Sequence, residues 1–171
     1  MSQLMLVSSI VFCEVLWKRV DILEAVNSYL ESIGPLKIAT MCSGSDCPIL
    51  CAIALLDTFN EQARLRSLIV SPHTLAHCFS VEKNPAKRDF IQRLYPNLCH
   101  LFKTVEEVTQ AQAYCTKVEA MIEVPNPRIL LAFFPCTDVS RLNQKRKFHR
   151  GVISDGALST GGVFGSILRF A

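Results

Sequence analysis

Apolar residues recur at helical spacing between about Val11 and Ile33 (Val15, Leu16, Ile22, Leu23, Val26, Leu30), and Gly34-Pro35 closes the run. This pattern predicts a leading helix. The period then changes. Leu36 to Met41 reads as a short buried strand, Cys42-Ser43-Gly44-Ser45 as a tight turn, and Asp46 to Phe59 as a helix capped by Asp46, with Pro48 in its first turn. The same unit recurs: His77 to Val81 is strand-like, Glu82 stands at its end, and Pro85 to Leu94 forms a helix that stops before Pro96. Leu98 to Phe102 is expected to be a third strand, followed by a helical stretch between Val105 and Met121. Between Arg128 and Phe134 the run Ile-Leu-Leu-Ala-Phe-Phe is continuously apolar, as in a strand covered on both faces. Asn60 to Thr74 reads as an insertion between the second helix and the second strand.

Strands alternating with helices imply an α/β fold, a parallel Rossmann-like sheet with helices on both faces. Ligands of such sheets bind beyond the carboxyl ends of the strands, which is where Gly44, Glu82 and Cys136 fall. With 171 residues, one compact domain is expected, in which residues 1–35 are a leading helical segment and residues 36–171 carry the sheet.

Composition narrows the class. Half of the residues are apolar and 19% are charged, so the chain is expected to fold around a core. The net charge of +3 does not by itself announce a nucleic-acid partner. Its distribution does more. Arg141, Lys145, Arg146, Lys147 and Arg150 put five positive charges within ten residues with no carboxylate, leaving 13 basic residues against 15 acidic in the rest of the chain. A run of this kind is equally a solvated surface until a neighbouring site gives it a purpose.

The eight cysteines (13, 42, 47, 51, 78, 99, 115 and 136) show no paired spacing, and a reducing, intracellular compartment is expected. The apolar stretch from Leu4 to Leu16 is interrupted by Ser8, Ser9 and Glu14, and its basic residues, Lys18 and Arg19, follow it. That order is the reverse of a signal peptide, and the stretch is short for a membrane span. No membrane partner is expected. His73, His77 and Cys78 lack an evident fourth ligand, so no metal site is expected either.

Three positions suggest chemistry. A turn with Ser43, Gly44 and Ser45 ahead of a helix lets backbone amides approach an anionic ligand, although such turns also occur without one. Glu82 at a strand end suits the two hydroxyls of a ribose, and is equally compatible with a surface carboxylate. Cys136 leaves a buried strand for a loop beside basic residues, where a thiol can be both accessible and stabilised as thiolate; alone, it is also what a small core residue looks like.

The segment Phe134-Pro135-Cys136-Thr137-Asp138-Val139-Ser140-Arg141-Leu142-Asn143 resembles the catalytic loop of the cytosine-5 DNA methyltransferases, which carries a Pro-Cys pair followed by a Ser and an Asn. Three further stretches resemble that family in the same order: Ala39 to Asp46 the cofactor-binding turn, Val81-Glu82-Lys83-Asn84-Pro85-Ala86 the ribose-binding acidic motif, and Thr160-Gly161-Gly162-Val163-Phe164 the helix after the loop. The likeness covers roughly residues 36–170, the N-terminal part of a methyltransferase domain. It implies S-adenosylmethionine as cofactor, held by Cys42, Ser43, Gly44, Ser45, Glu82, Lys83, Thr104 and Pro135. It also implies double-stranded DNA as partner, contacted by Ser140, Arg141, Asn143, Lys145, Arg146, Lys147 and Arg150, with the target cytosine flipped from the helix. Cys136 is implied as the nucleophile that adds to carbon 6 while carbon 5 takes the methyl group.

Departures from the family pattern are specific. Met41-Cys42-Ser43-Gly44-Ser45-Asp46 keeps only the Ser-Gly pair, where the family has a preceding aromatic residue and a following glycine pair. Thr104 stands where the family places an adenine-contacting aspartate. The family's Glu-Asn-Val motif is not reached before Ala171, so the sheet is expected to stop after its fourth strand and the isolated chain to be inactive or nearly so. Two other functions fit the same residues: a catalytically silent module that binds cofactor or nucleic acid, and methyl transfer to cytosine in transfer RNA. A DNA substrate implies the nucleus in a eukaryote and the cytoplasm in a bacterial or viral setting.

Overall fold

The computed structural model describes residues 18–42, 44–69, 71–133 and 159–170. Its elements run α1 (Val20–Ile33), β1 (Leu36–Met41), α2 (Cys47–Leu65), β2 (Leu75–Val81), α3 (Pro85–Leu94), β3 (His100–Phe102), α4 (Val105–Val108), β4 (Gln112–Cys115), β5 (Ala120–Glu123), β6 (Ile129–Ala132) and α5 (Ser159–Phe170). The fold is mixed α/β around a four-stranded parallel sheet of order β3-β2-β1-β6, with β4 and β5 forming a separate antiparallel hairpin. This matches the expected Rossmann-like class.

The chain divides into two compact units, Met1–Leu36 with Cys51–Leu75, and Lys37–Leu50 with Ala76–Ala171. In the first, Leu23 and Leu30 of α1 share a core with Leu56, Phe59 and Ala63 of α2. Both helices therefore face that core with apolar stripes at helical spacing. Asn27, buried on the same side of α1, is bonded through its amide to Glu31 at 3.0 Å and to the Leu68 carbonyl at 3.3 Å. Asn60 brackets the backbone of His73 with two bonds of 2.8 Å. The stretch expected to be an insertion from Asn60 is thus in part α2 itself, which runs six residues beyond Phe59 to Leu65. Helical propensity across Glu61-Gln62-Ala63-Arg64-Leu65 carries it on.

In the second unit, Ala39 and Met41 of β1, Phe79 and Val81 of β2 and Phe102 of β3 form a core with Val105 and Val108 of α4 and Ile167 of α5. Phe79 packs edge-on against both Phe102 and Phe170, at ring separations of 5.6 and 5.7 Å. Such T-shaped pairs add to the simple burial of the rings. The long helix expected between Val105 and Met121 is not formed. After one turn of α4, the chain makes the β4–β5 hairpin, in which Ala113 and Cys115 are buried and Gln112 and Tyr114 exposed. That alternation of period two was hidden by the apolar residues around it.

Strand order positions the site. The chain steps from β1 to β2 to β3 on one side, then returns to lay β6 against the other side of β1, with Ile38 opposite Ile129 and Met41 opposite Ala132. The reversal lies between β1 and β6, the switch point at which open α/β sheets leave a crevice beyond the strand ends.

Candidate functional site

Three strands end together at this crevice. Cys42, the residue after β1, donates its amide to Val81 of β2 at 2.8 Å, and Phe133, after β6, donates to Met41 at 2.8 Å. Glu82, after β2, donates to Phe102 of β3 at 3.2 Å. The backbone beyond β1 then turns through left-handed conformations at Cys42 (φ 57°), Gly44 (φ 70°) and Asp46 (φ 54°). Glycine accepts this geometry freely, whereas a residue with a Cβ meets the following carbonyl and needs compensating contacts.

Asp46 has such contacts. It was expected to cap α2, but its carboxylate turns toward the sheet: Thr40 donates to Oδ1 at 2.7 Å and Ser80 donates to Oδ2. Its carbonyl accepts from the Ile49 amide at 2.9 Å and from the Tyr95 hydroxyl at 2.7 Å. All of these groups are buried. With the Ser80 proton committed to Asp46, His77 Nε2, 2.8 Å from Ser80 Oγ, is assigned as the donor of that pair. Nδ1 is then a buried acceptor with no hydrogen-bond partner among the described residues. Burial lowers the His77 pKa to about 4 and raises that of Asp46. The 3.6 Å approach of His77 to Asp46 is accordingly a contact of a neutral imidazole at pH 7. The hub beneath the turn is a hydrogen-bonded network, not an ion pair.

Above it lies a cavity of about 300 Å³ lined by Cys42, Glu82, Lys83, Lys87, Thr104 and Glu106, with apolar walls from Val81, Val105, Phe133 and Val163, and with Lys103. Glu82 is buried and held: Oε1 accepts the Asn84 amide at 2.9 Å, and Arg88 bonds the carbonyls of Glu82 and Lys83 at 2.9 and 2.7 Å. Among the described residues, Oε2 has no hydrogen-bond partner, which leaves an acceptor for ligand hydroxyls. Thr104 caps α4, its hydroxyl accepting from Glu107 at 3.3 Å. Thr and Asp are both good caps, so exchanging one for the other preserves the helix start while removing a carboxylate from the cavity. The Cys42 thiol is raised to about 11, by burial first and then by Glu82 and Glu106. It stays protonated at neutral pH and serves as a wall, not a nucleophile.

Of the residues anticipated from sequence, Cys42, Glu82, Lys83 and Thr104 meet at this one cavity. Gly44 and the exposed Ser45 belong to the turn beside it. Ser43, Pro135, Cys136, Ser140, Arg141, Asn143, Lys145, Arg146, Lys147 and Arg150 lie outside the described residues. Lys87, Lys103, Glu106, Phe133 and Val163 line the cavity without having been anticipated. Glu106 was readable as the second residue after Thr104, in the first turn of the helix that Thr104 caps. His73 and His77, considered together as metal ligands, have separate partners: His73 Nε2 lies 2.7 Å from Asn27 Oδ1, and His77 bonds Ser80.

No family model matches the chain. Over 112 residues, 63% of its length, it is 36% identical to a protein of Cryptococcus neoformans var. grubii serotype A named DNA (cytosine-5-)-methyltransferase DMT5. Over that stretch the chain is similar to a protein named as a cytosine-5 DNA methyltransferase. The matched stretch spans only 4% of the Cryptococcus protein. The cavity sits at the strand ends where the ribose acidic motif and the glycine turn were expected to meet. No helix among the described residues is long and apolar enough to cross a membrane.

Proposed function

We propose that this chain is part of an enzyme that uses S-adenosylmethionine to methylate carbon 5 of cytosine in DNA, with the cofactor in the cavity between the β1 turn and Glu82. The observation that carries the proposal is the meeting of Glu82, Thr104 and the left-handed turn after β1 around one cavity at the sheet's switch point, in a chain related to a named cytosine-5 methyltransferase. Glu82 offers its open carboxylate oxygen to the ribose hydroxyls, the cavity's apolar walls take the adenine, and the turn at Gly44 admits the amino-acid end. The bound cofactor supplies the methyl group.

Cys136 is the proposed nucleophile. Its thiolate forms a bond to carbon 6 of the extruded cytosine, carbon 5 gains the methyl group and then loses its proton, and the bond to sulfur breaks to restore the ring. Pro135 is proposed to contact the cofactor. Ser140, Arg141, Asn143, Lys145, Arg146, Lys147 and Arg150 are proposed to follow the DNA backbone, so binding should weaken steeply with salt. Work on duplex DNA implies a nuclear protein in a eukaryotic cell.

Calorimetric titration with S-adenosylhomocysteine tests the cofactor site: binding by the wild type and a loss of tenfold or more in Glu82→Ala, on the order of one to two charge-assisted hydrogen bonds, are expected. Absence of binding by the wild type refutes the assignment. Covalent trapping on duplex DNA containing 5-fluorocytosine, absent in Cys136→Ser, tests the nucleophile. Retained cofactor binding without trapping would point to a silent binding module, and trapping on transfer RNA in preference to duplex DNA would move the substrate to RNA.

A further inference from the structure

We infer that Lys87 anchors the carboxylate of the ligand's amino-acid end, a role that rests on the cofactor site proposed above. A ligand with its ribose at Glu82 and its tail at the β1 turn brings a carboxylate, with its own α-ammonium beside it, to that turn, where a protein cation can bond the carboxylate alongside the backbone amides. The cavity has three ammonium groups to offer, from Lys83, Lys87 and Lys103. Lys83 directly follows Glu82 and belongs to the ribose end. Lys103 is already engaged, its ammonium 5.6 Å from the centre of the Tyr114 ring, within cation–π range.

Lys87 stands over the turn. Its Nζ lies 3.7 Å from the point a Cβ on Gly44 would occupy, so the absent side chain leaves the ammonium facing bare backbone. Lys87 forms no ion pair with a described carboxylate; the close approaches of basic to acidic side chains among described residues are Arg19–Asp21 and the neutral His77 to Asp46. Its backbone is fixed at the start of α3, where the amide bonds Asn84 Oδ1 at 3.3 Å. A free cation on a fixed helical turn, above a glycine at the strand end, is suited to a carboxylate rather than to a ribose or a ring. Lys87 is an exposed residue, so water screens the pair and its contribution is modest.

The test compares two ligands by calorimetric titration, S-adenosylhomocysteine and its decarboxylated analogue, on the wild type, Lys87→Met and Lys87→Arg. Lys87→Met is expected to weaken S-adenosylhomocysteine about threefold, to leave the decarboxylated analogue unchanged, and to be largely rescued by Lys87→Arg. A merely structural role would weaken both ligands alike. Equal loss for both ligands, or no loss for either, overturns the assignment of Lys87 while leaving the cofactor site intact. Failure of the wild type to bind S-adenosylhomocysteine overturns the site and the anchor with it.

Discussion

His77 makes the fold sensitive to acid, and the effect can be worked through from its surroundings. The ring is buried against Tyr95, edge to face at 5.3 Å, and its Nδ1 has no described hydrogen-bond partner. Protonation would place a charged N–H donor where no acceptor waits, so burial lowers the pKa to about 4 from 6.5. In the unfolded chain the same imidazole titrates near the ordinary value. Between these two pKa values the unfolded state binds the extra proton and the folded state does not, so stability falls as pH drops through 6.5 and continues to fall toward 4. From pH 7 to pH 5 this amounts to about 2 kcal/mol. Asp46 has the opposite sign: its raised pKa means the folded state takes up a proton more readily, which offsets part of the loss. Comparing wild type with His77→Gln isolates the histidine, because Asp46 is common to both. Urea unfolding at pH 7 and pH 5 should show the wild type losing more stability than the variant by about 2 kcal/mol. Parallel pH dependence in the two proteins would refute the neutral, acid-labile assignment of His77.

Three further outcomes are expected. Asp46→Ala leaves Thr40 and Ser80 without their shared acceptor and should cost about 2–3 kcal/mol in urea unfolding at pH 7, with Asp46→Asn losing less because its amide retains an acceptor and tolerates the left-handed backbone. Gly44→Ala meets only ordinary contact with Lys87 but is strained at φ 70°; a stability loss of about 1 kcal/mol by thermal unfolding, with weaker S-adenosylhomocysteine binding, is expected. Iodoacetamide at pH 8 should label the exposed Cys47, Cys51 and Cys99 ahead of Cys42, and mass spectrometry should show Cys42 further protected when S-adenosylhomocysteine is present.

Where one physical signal dominated, the sequence was transparent. Pro85 at the start of α3 and Pro96 beyond its end bounded that helix without help from tertiary packing. The parallel strands β1 and β6 were legible because both are rich in apolar residues at consecutive positions. The β4–β5 hairpin was not, since four-residue strands flanked by Val105, Val108 and Val124 mimic a helical period. The site divided in the same way. Glu82 could be placed from its strand end, because strand order sends it to the crevice whatever its neighbours are. Lys87 could not, because its significance depends on its height above Gly44, which only the joining of β1 and α3 in space creates.

The network under the turn also bears on the departure from the family pattern. Where a glycine pair would supply the left-handed backbone at no steric cost, this chain has Ser45-Asp46, and Asp46 adopts that conformation with a Cβ present. Aspartate is among the residues that tolerate it, but tolerance alone does not hold a turn in shape. Here the side chain contributes the restraint, since Thr40 on β1 and Ser80 on β2 both bond its carboxylate and Tyr95 bonds its carbonyl. The turn is thus tied to two strands and to the end of α3, where a glycine would leave it to its own hydrogen bonds. In this turn a buried side-chain clamp of Thr40, Asp46 and Ser80 restrains what a glycine pair would leave free. Substituting glycine at 46 alone should therefore loosen the turn, despite relieving its left-handed strain, and a combined change at 40, 46 and 80 to apolar or small residues should cost less than the sum of its single steps.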